Sequence, residues 1–180
     1  MSITPAEYFE QVVPQQYAAA LADAPESVVS QPSMTVTYVI SGEQGGTFGL
    51  RSEGRSLVYV PGGIPDSDML VRQSYETWRK GVEAGSTEMA LDYVQRRKVS
   101  VVKGLRGTVT LALTNSDGEL HETTVVFGGQ EQPAVTLKMT TEDYRAMMSG
   151  ELNGNMAFML GKLTFEGSLP LLMQVGALSG

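Results

Sequence analysis

The stretch from Thr136 to Leu178 constrains the fold most, because short strands and short helices alternate along it with little room between them. Thr136 to Met139 alternates polar and apolar residues, the pattern of a half-buried strand. Thr140, with Asp143 three residues on, resembles a capping box and starts a helix over Tyr144, Met147 and Met148. Gly150 and Gly154 break the chain on either side of Leu152. Asn155 is placed to cap a second helical turn carrying Met156, Phe158, Met159 and Leu160. Lys162 to Glu166 alternates again as a strand that Gly167 ends, and the tail from Ser168 is too apolar to lie in water. Such a segment predicts an α+β fold: a mainly antiparallel sheet covered by helices.

The rest of the chain supports that prediction. Thr4 to Glu7 forms a capping box with Pro5 at the first helical position. Tyr8, Phe9, Val12, Val13, Tyr17 and Leu21 then make an apolar helical stripe that Pro14 should kink or divide. Residues 35–41, 47–51 and 56–60 read as a three-strand meander joined by the turns Gly42–Gly46 and Ser52–Arg55. Met69 to Val71 leads into a helix around Tyr75, Trp78 and Val82, and a second helix is expected over Thr87 to Tyr93. Val99 to Val102 reads as a strand ended by Gly104. Residues 108–114 and 122–127 form a hairpin about Asn115-Ser-Asp-Gly118.

Composition narrows the function. With 180 residues there is room for one generous domain or two small packed units. The absence of cysteine excludes disulfides and thiolate chemistry. A net charge of −7 argues against nucleic-acid binding and against docking on anionic membranes by charge. No run approaches the ~20 apolar residues of a membrane span, and MSITPAEYFEQ has neither part of a secretory signal. The chain ends Leu178-Ser179-Gly180, which is not the peroxisomal address, so a soluble cytoplasmic protein is expected.

The order Glu142-Asp143-Tyr144, Ser149-Gly150-Glu151-Leu152, Ala157-Phe158, Gly161-Lys162-Leu163 resembles the closing segment of sterol carrier protein type-two, or nonspecific lipid-transfer, domains. Tyr8-Phe9-Glu10 and the sequence from Ile40 to Phe48 resemble the opening helix and first hairpin of that family. The resemblance implies an apolar tunnel under a C-terminal helix that acts as its gate. Ten methionines, five of them from Met139 to Met159, suit an adaptable apolar lining. The expected lining is Met147, Met148, Phe158, Met159, Leu160, Phe165, Leu169, Leu172 and Met173.

There is also an apparent internal repeat. Tyr75, Gly81 and Gly85 recur 69 residues later as Tyr144, Gly150 and Gly154, and each set runs into Met-Ala at Met89 and Met156. Two sterol-carrier-like units are expected: 1–104 with the opening helix, and 105–180 without it, packed against the first. At most one working cavity is expected, in the second unit and near the seam, because Leu91-Asp-Tyr93 and Arg96-Arg97 replace the apolar turn in the first.

Nothing in the chain spells out catalysis. His121, the sole histidine, is expected to face solvent from a strand, with no second ligand for a metal and no nucleophile for a triad. Asp66 and Asp68 read as a solvated loop, and Arg96-Arg97-Lys98 as a complement to a helix C-terminus. The expected function is therefore non-catalytic binding or transfer of a sterol, fatty acyl chain or other lipid, with no cofactor and no metal. The alternatives are an interaction or structural module with a closed pocket, or a substrate-binding subunit of a lipid-metabolising enzyme.

Overall fold

Alternating segments become strands here wherever helices cover one of their faces. The computed structural model describes residues 2–85 and 88–178. The strands are β1 (Thr35–Ser41), β2 (Gly46–Glu53), β3 (Ser56–Pro61), β4 (Met69–Ser74), β5 (Gly107–Thr114), β6 (Leu120–Phe127), β7 (Ala134–Thr140) and β8 (Thr164–Gly167). They form one sheet in the order β3-β2-β1-β4-β6-β5-β7-β8. Neighbours are antiparallel except β1–β4 and β5–β7, which run parallel. The expected α+β class and mainly antiparallel sheet are therefore present.

The sheet buries one face. Val36, Tyr38 and Ile40 of β1, Val71 of β4, Val125 of β6, Val109 of β5 and Leu137 of β7 share a single core with the helices, while the alternate residues of each strand stay outside it. The chain opens with α1 (Pro5–Glu7), capped by Thr4 as expected, followed by a π-helical turn at Tyr8–Val12 and α2 (Val13–Leu21). Pro14 has no N–H to donate, and the helix accommodates it with Val13 N–H bonding back to the Tyr8 carbonyl, five residues away. A short α3 (Glu26–Val29) precedes the meander.

Two helices follow β4: α4 (Tyr75–Glu83), capped by Ser74, and α5 (Met89–Gln95), with Glu88 at its N-cap position. Thr87, expected to open the second of these, lies outside the described residues. After β7 come α7 (Thr141–Met148), capped by Thr140, and α8 (Gly154–Met159). The cap of α8 is Asn153, whose side-chain oxygen accepts from the backbone of Asn155 and Met156, so the cap stands two residues before the one expected. Ser168 then caps α9 (Leu169–Val175), and a 3-10 turn follows at Gly176–Leu178.

Residues 99–104 correct the sequence reading. They form helix α6 (Val99–Gly104), not a strand. β-Branched content suggested a strand, yet Val99, Val102 and Leu105 are buried and Ser100 is exposed, so burial recurs every three residues as on a helix.

In each half a hairpin is followed by a strand parallel to its first strand, but the first half adds β3 before that strand and three helices after it, where the second has two helices and then β8. Their registration is not the 69-residue offset. The caps Ser74 and Thr140, and the left-handed glycines Gly85 and Gly150 (φ 73° and 84°) that end α4 and α7, stand 65–66 residues apart. Tyr75 is the first residue of α4, whereas Tyr144 is the fourth of α7 and matches Trp78.

Candidate functional site

A cavity of about 960 Å3 lies over the inner face of β4, β6 and β5, between α4 and α7. Its floor is Val71, Leu111 and Leu113 together with the polar Gln73, His121 and Thr123, with Trp78 on the α4 side and Tyr144 on the α7 side. These residues come from both halves of the chain, so the cavity sits at their seam. Helix α5 is joined to α7 by Arg96 at its C-cap, which donates to the Met148 carbonyl at 2.7 Å and pairs with Asp92 at 3.1 Å. That basic residue closes the end of the neighbouring helix α7 rather than only its own.

Three polar features of the lining are distinctive. The first is Glu88. Its side chain does not cap α5; instead its carboxylate accepts from the Tyr8 hydroxyl at 2.5 Å and the Tyr38 hydroxyl at 2.8 Å. Burial pushes the Glu88 carboxyl above its ordinary range, although both tyrosine hydrogen bonds pull the other way. The same enclosure, with the charge of Glu88 beside them, raises both phenols.

The second is Trp78, only 3% exposed, whose indole N–H has no hydrogen-bond partner among the described residues. Its ring meets that of Tyr8 edge-on at 5.6 Å, so the indole stands next to the Glu88 cluster.

The third is His121, whose side chain is 12% exposed and lines the cavity, where a solvent-facing residue was expected. It pairs with Leu113 across the β5–β6 ladder and therefore points to the helix-covered face. Nδ1 lies 3.0 Å from the Thr77 hydroxyl, and Nε2 lies 3.6 Å from the Glu119 carboxylate. Lys80 from α4 is bound to that same carboxylate at the cavity mouth.

The nine residues expected to line a cavity are placed elsewhere. Phe158, Met159, Leu160, Leu169 and Met173 are exposed, from 51% for Phe158 and Leu169 to 78% for Met159. Met147, Phe165 and Leu172 pack partly against the core, and Met148 is half-buried. None of the nine is among the lining of the large cavity. Helix α8 buries Ala157 alone, and α9 is anchored through Leu171, so their methionines turn outward. Phe158 and Phe165 do meet, with ring centres 5.9 Å apart.

Asp68 is likewise more than a solvated loop residue. Its carboxylate accepts from the Thr35 backbone at 2.9 Å and from Lys103 at 3.1 Å, tying the start of β1 to α6. Among the described residues no three His, Asp or Glu side chains are grouped to hold a metal ion, and no helix is long and apolar enough to cross a membrane.

Glu88, Trp78 and His121 escaped the sequence reading because their partners are distant along the chain. Glu88 meets Tyr8 and Tyr38 over 80 and 50 residues, and His121 meets Thr77 over 44. The available signal for His121 was strand parity, since it alternates with Thr123 and Val125 on the apolar face of β6.

A helix-covered, mainly antiparallel sheet with a cavity over its inner face defines an α+β domain with room for a small molecule. The sequence profile of the SCP-2 sterol transfer family matches residues 82–179, and the chain belongs to that family. The resemblance noted for Tyr8–Glu10 and Ile40–Phe48 lies outside this match. Over 77 residues the chain is 38% identical to peroxisomal multifunctional enzyme A of Dictyostelium discoideum, covering 41% of this chain and 17% of that protein. The chain thus spans less than a fifth of that relative's length. Similar solved structures include the sterol carrier protein domain 2 of Helicoverpa armigera, at 24% identity and TM-score 0.41, covering 51% of this chain and 81% of that one. Sterol carrier protein 2 like 2 of Aedes aegypti is similar at 22% identity and TM-score 0.37, covering 56% and 97%.

Proposed function

We propose that this protein binds or transfers an apolar molecule, such as a sterol, a fatty acyl chain or another lipid, without transforming it. The observation that carries the reading is the seam cavity: about 960 Å3 over Val71, Leu111 and Leu113, with polar groups beside them on β4 and β6, at the Glu88 wall and at the mouth. That size and arrangement suit a ligand whose body is apolar and whose orientation is set by a few polar contacts. Burial of the apolar body supplies the affinity, at about 25 cal/mol per Å2 removed from water. Family membership supports the same reading. Native mass spectrometry of protein purified from its source should show a bound lipid. Consistently empty protein that also leaves fluorescent fatty-acid and sterol probes unbound would sink the proposal.

A second reading has its own support in the exposed apolar residues of α8 and α9. Met159, Leu160, Leu169 and Met173 suit an interaction module, or a substrate-binding subunit serving a lipid-metabolising enzyme. The name of the Dictyostelium relative is compatible with the latter. If the surface serves association, Met159→Ser with Met173→Ser abolishes partner capture while probe binding persists.

A further inference from the structure

The polar groups at the inner wall of the cavity are complementary to one kind of head group. Each Glu88 oxygen already takes a tyrosine hydroxyl, at 2.5 and 2.8 Å, and a carboxyl oxygen has a second lone pair to offer. The wall therefore retains hydrogen-bond acceptors. It also holds a donor with nothing to donate to among the described residues, the indole N–H of Trp78, fully enclosed and next to Tyr8. Leaving such a group unpaired is unfavourable, because it has given up its hydrogen bond to water and gained none in return. A bound group that accepts from Trp78 and donates to Glu88 satisfies both.

The head groups of simple amphiphiles differ in this respect. A carboxylate only accepts, and an ammonium only donates; a hydroxyl does both. Charge at the mouth points the same way. Asp117, Glu142 and Glu151 stand there against Lys80 and Arg145, and Lys80 is already held by Glu119. A cleft of that sign, in a chain of net charge −7, opposes an incoming anion.

Resting on the binding reading above, we infer that Trp78 and the Glu88–Tyr8–Tyr38 cluster form a head-group site that selects a hydroxyl-bearing apolar molecule over a carboxylate. Glu88 and Trp78 are thus specificity-determining residues, placed at the N-cap of α5 and in α4 of the first half, while Leu111 and Leu113 of the floor are supplied by the second.

Trp78 is the chain's only tryptophan, so its fluorescence reports directly on the wall it forms. The full chain is titrated at neutral pH with dodecanol, dodecylammonium and dodecanoate, each below its micellar concentration. Dodecanol should saturate the Trp78 response at a concentration at least about tenfold below dodecanoate, a factor worth ~1.4 kcal/mol. Glu88→Gln, with folding checked by circular dichroism, should narrow that preference to within about threefold. If the Glu88→Gln variant does not fold, the three wild-type titrations decide. Dodecanoate binding as tightly as dodecanol overturns the inference and leaves the cavity reading standing. So does dodecylammonium binding more tightly than dodecanol, which would make Glu88 a counter-ion. No binding of any of the three, by fluorescence and by equilibrium dialysis, overturns both.

Discussion

Strands β1, β2 and β4 pair with one another in the same senses as β5, β6 and β7, yet the inner face of one set is filled and that of the other open. Three residues before the β1 position opposite the Ser74 cap stands Tyr38, and its partner on β2 is Phe48. The corresponding residue of β5, counted from the position opposite the Thr140 cap, is Leu111, and its partner on β6 is Thr123. In the first half Phe9 lies across that pair, with ring centres 4.5 Å from Tyr38 and 5.1 Å from Phe48. In the second half the paired side chains are smaller, and no aromatic ring contact crosses that pair among the described residues. The cavity is thus the space that Phe9, Tyr38 and Phe48 occupy on the other side of the seam. An apolar segment need not enclose a pocket; short side chains beneath covering helices leave one.

The sharpest way to break this comparison is Phe9→Ala. Removing a fully buried ring that bridges helix and sheet should cost about 3–5 kcal/mol in chemical denaturation. A loss under ~1 kcal/mol would show that the first half does not depend on its filled stack. Next in size, Leu111→Tyr with Thr123→Phe gives the second half the pair found in the first. Probe binding should weaken at least about tenfold, or ~1.4 kcal/mol, while the melting temperature is retained. Undiminished binding would place the ligand somewhere other than the seam.

A smaller effect should appear with pH. Because burial raises the Glu88 carboxyl in the fold, the protonated form is favoured there. The stability this contributes is complete below the ordinary value of 4.5 and is lost as pH rises through the raised one. Urea denaturation from acid to neutral pH should record that decline, and Glu88→Gln should flatten it. Smallest of all, Met159→Ser should change stability by no more than about 0.5 kcal/mol, because the side chain is 78% exposed. A larger loss would mean that α8 is held by more than Ala157.

Much of the fold was legible because its signals are local. The caps at Thr4 and Thr140, the meander and the hairpin at Asn115–Gly118 depend on residues a few positions apart. Val99 to Val102 misled for the same reason: four residues show β-branched content, but the helical spacing appears only when Leu105 is included. The cavity was expected in the second half near the seam, whereas the one described draws its lining from both halves. That lining was not legible from local signals. Apolar character at Phe158 to Met173 says that those residues avoid water in some state, not which wall they occupy. The residues that do line the cavity converge from β4, α4, β5, β6 and α7, and only the sheet order brings them together.

The antiparallel ladder between β4 and β6, from Met69 opposite Phe127 to Gln73 opposite Thr123, is where the halves become one sheet. Each half thereby guards the other's edge. A fragment ending at Gly104 would bare the N–H and C=O groups of Met69, Leu70 and Val71, an apolar strand with nothing to blunt it. Such a fragment should recruit the matching strand of another copy and grow by self-association. The seam that leaves room for a ligand also makes the two halves poor candidates for life as separate proteins.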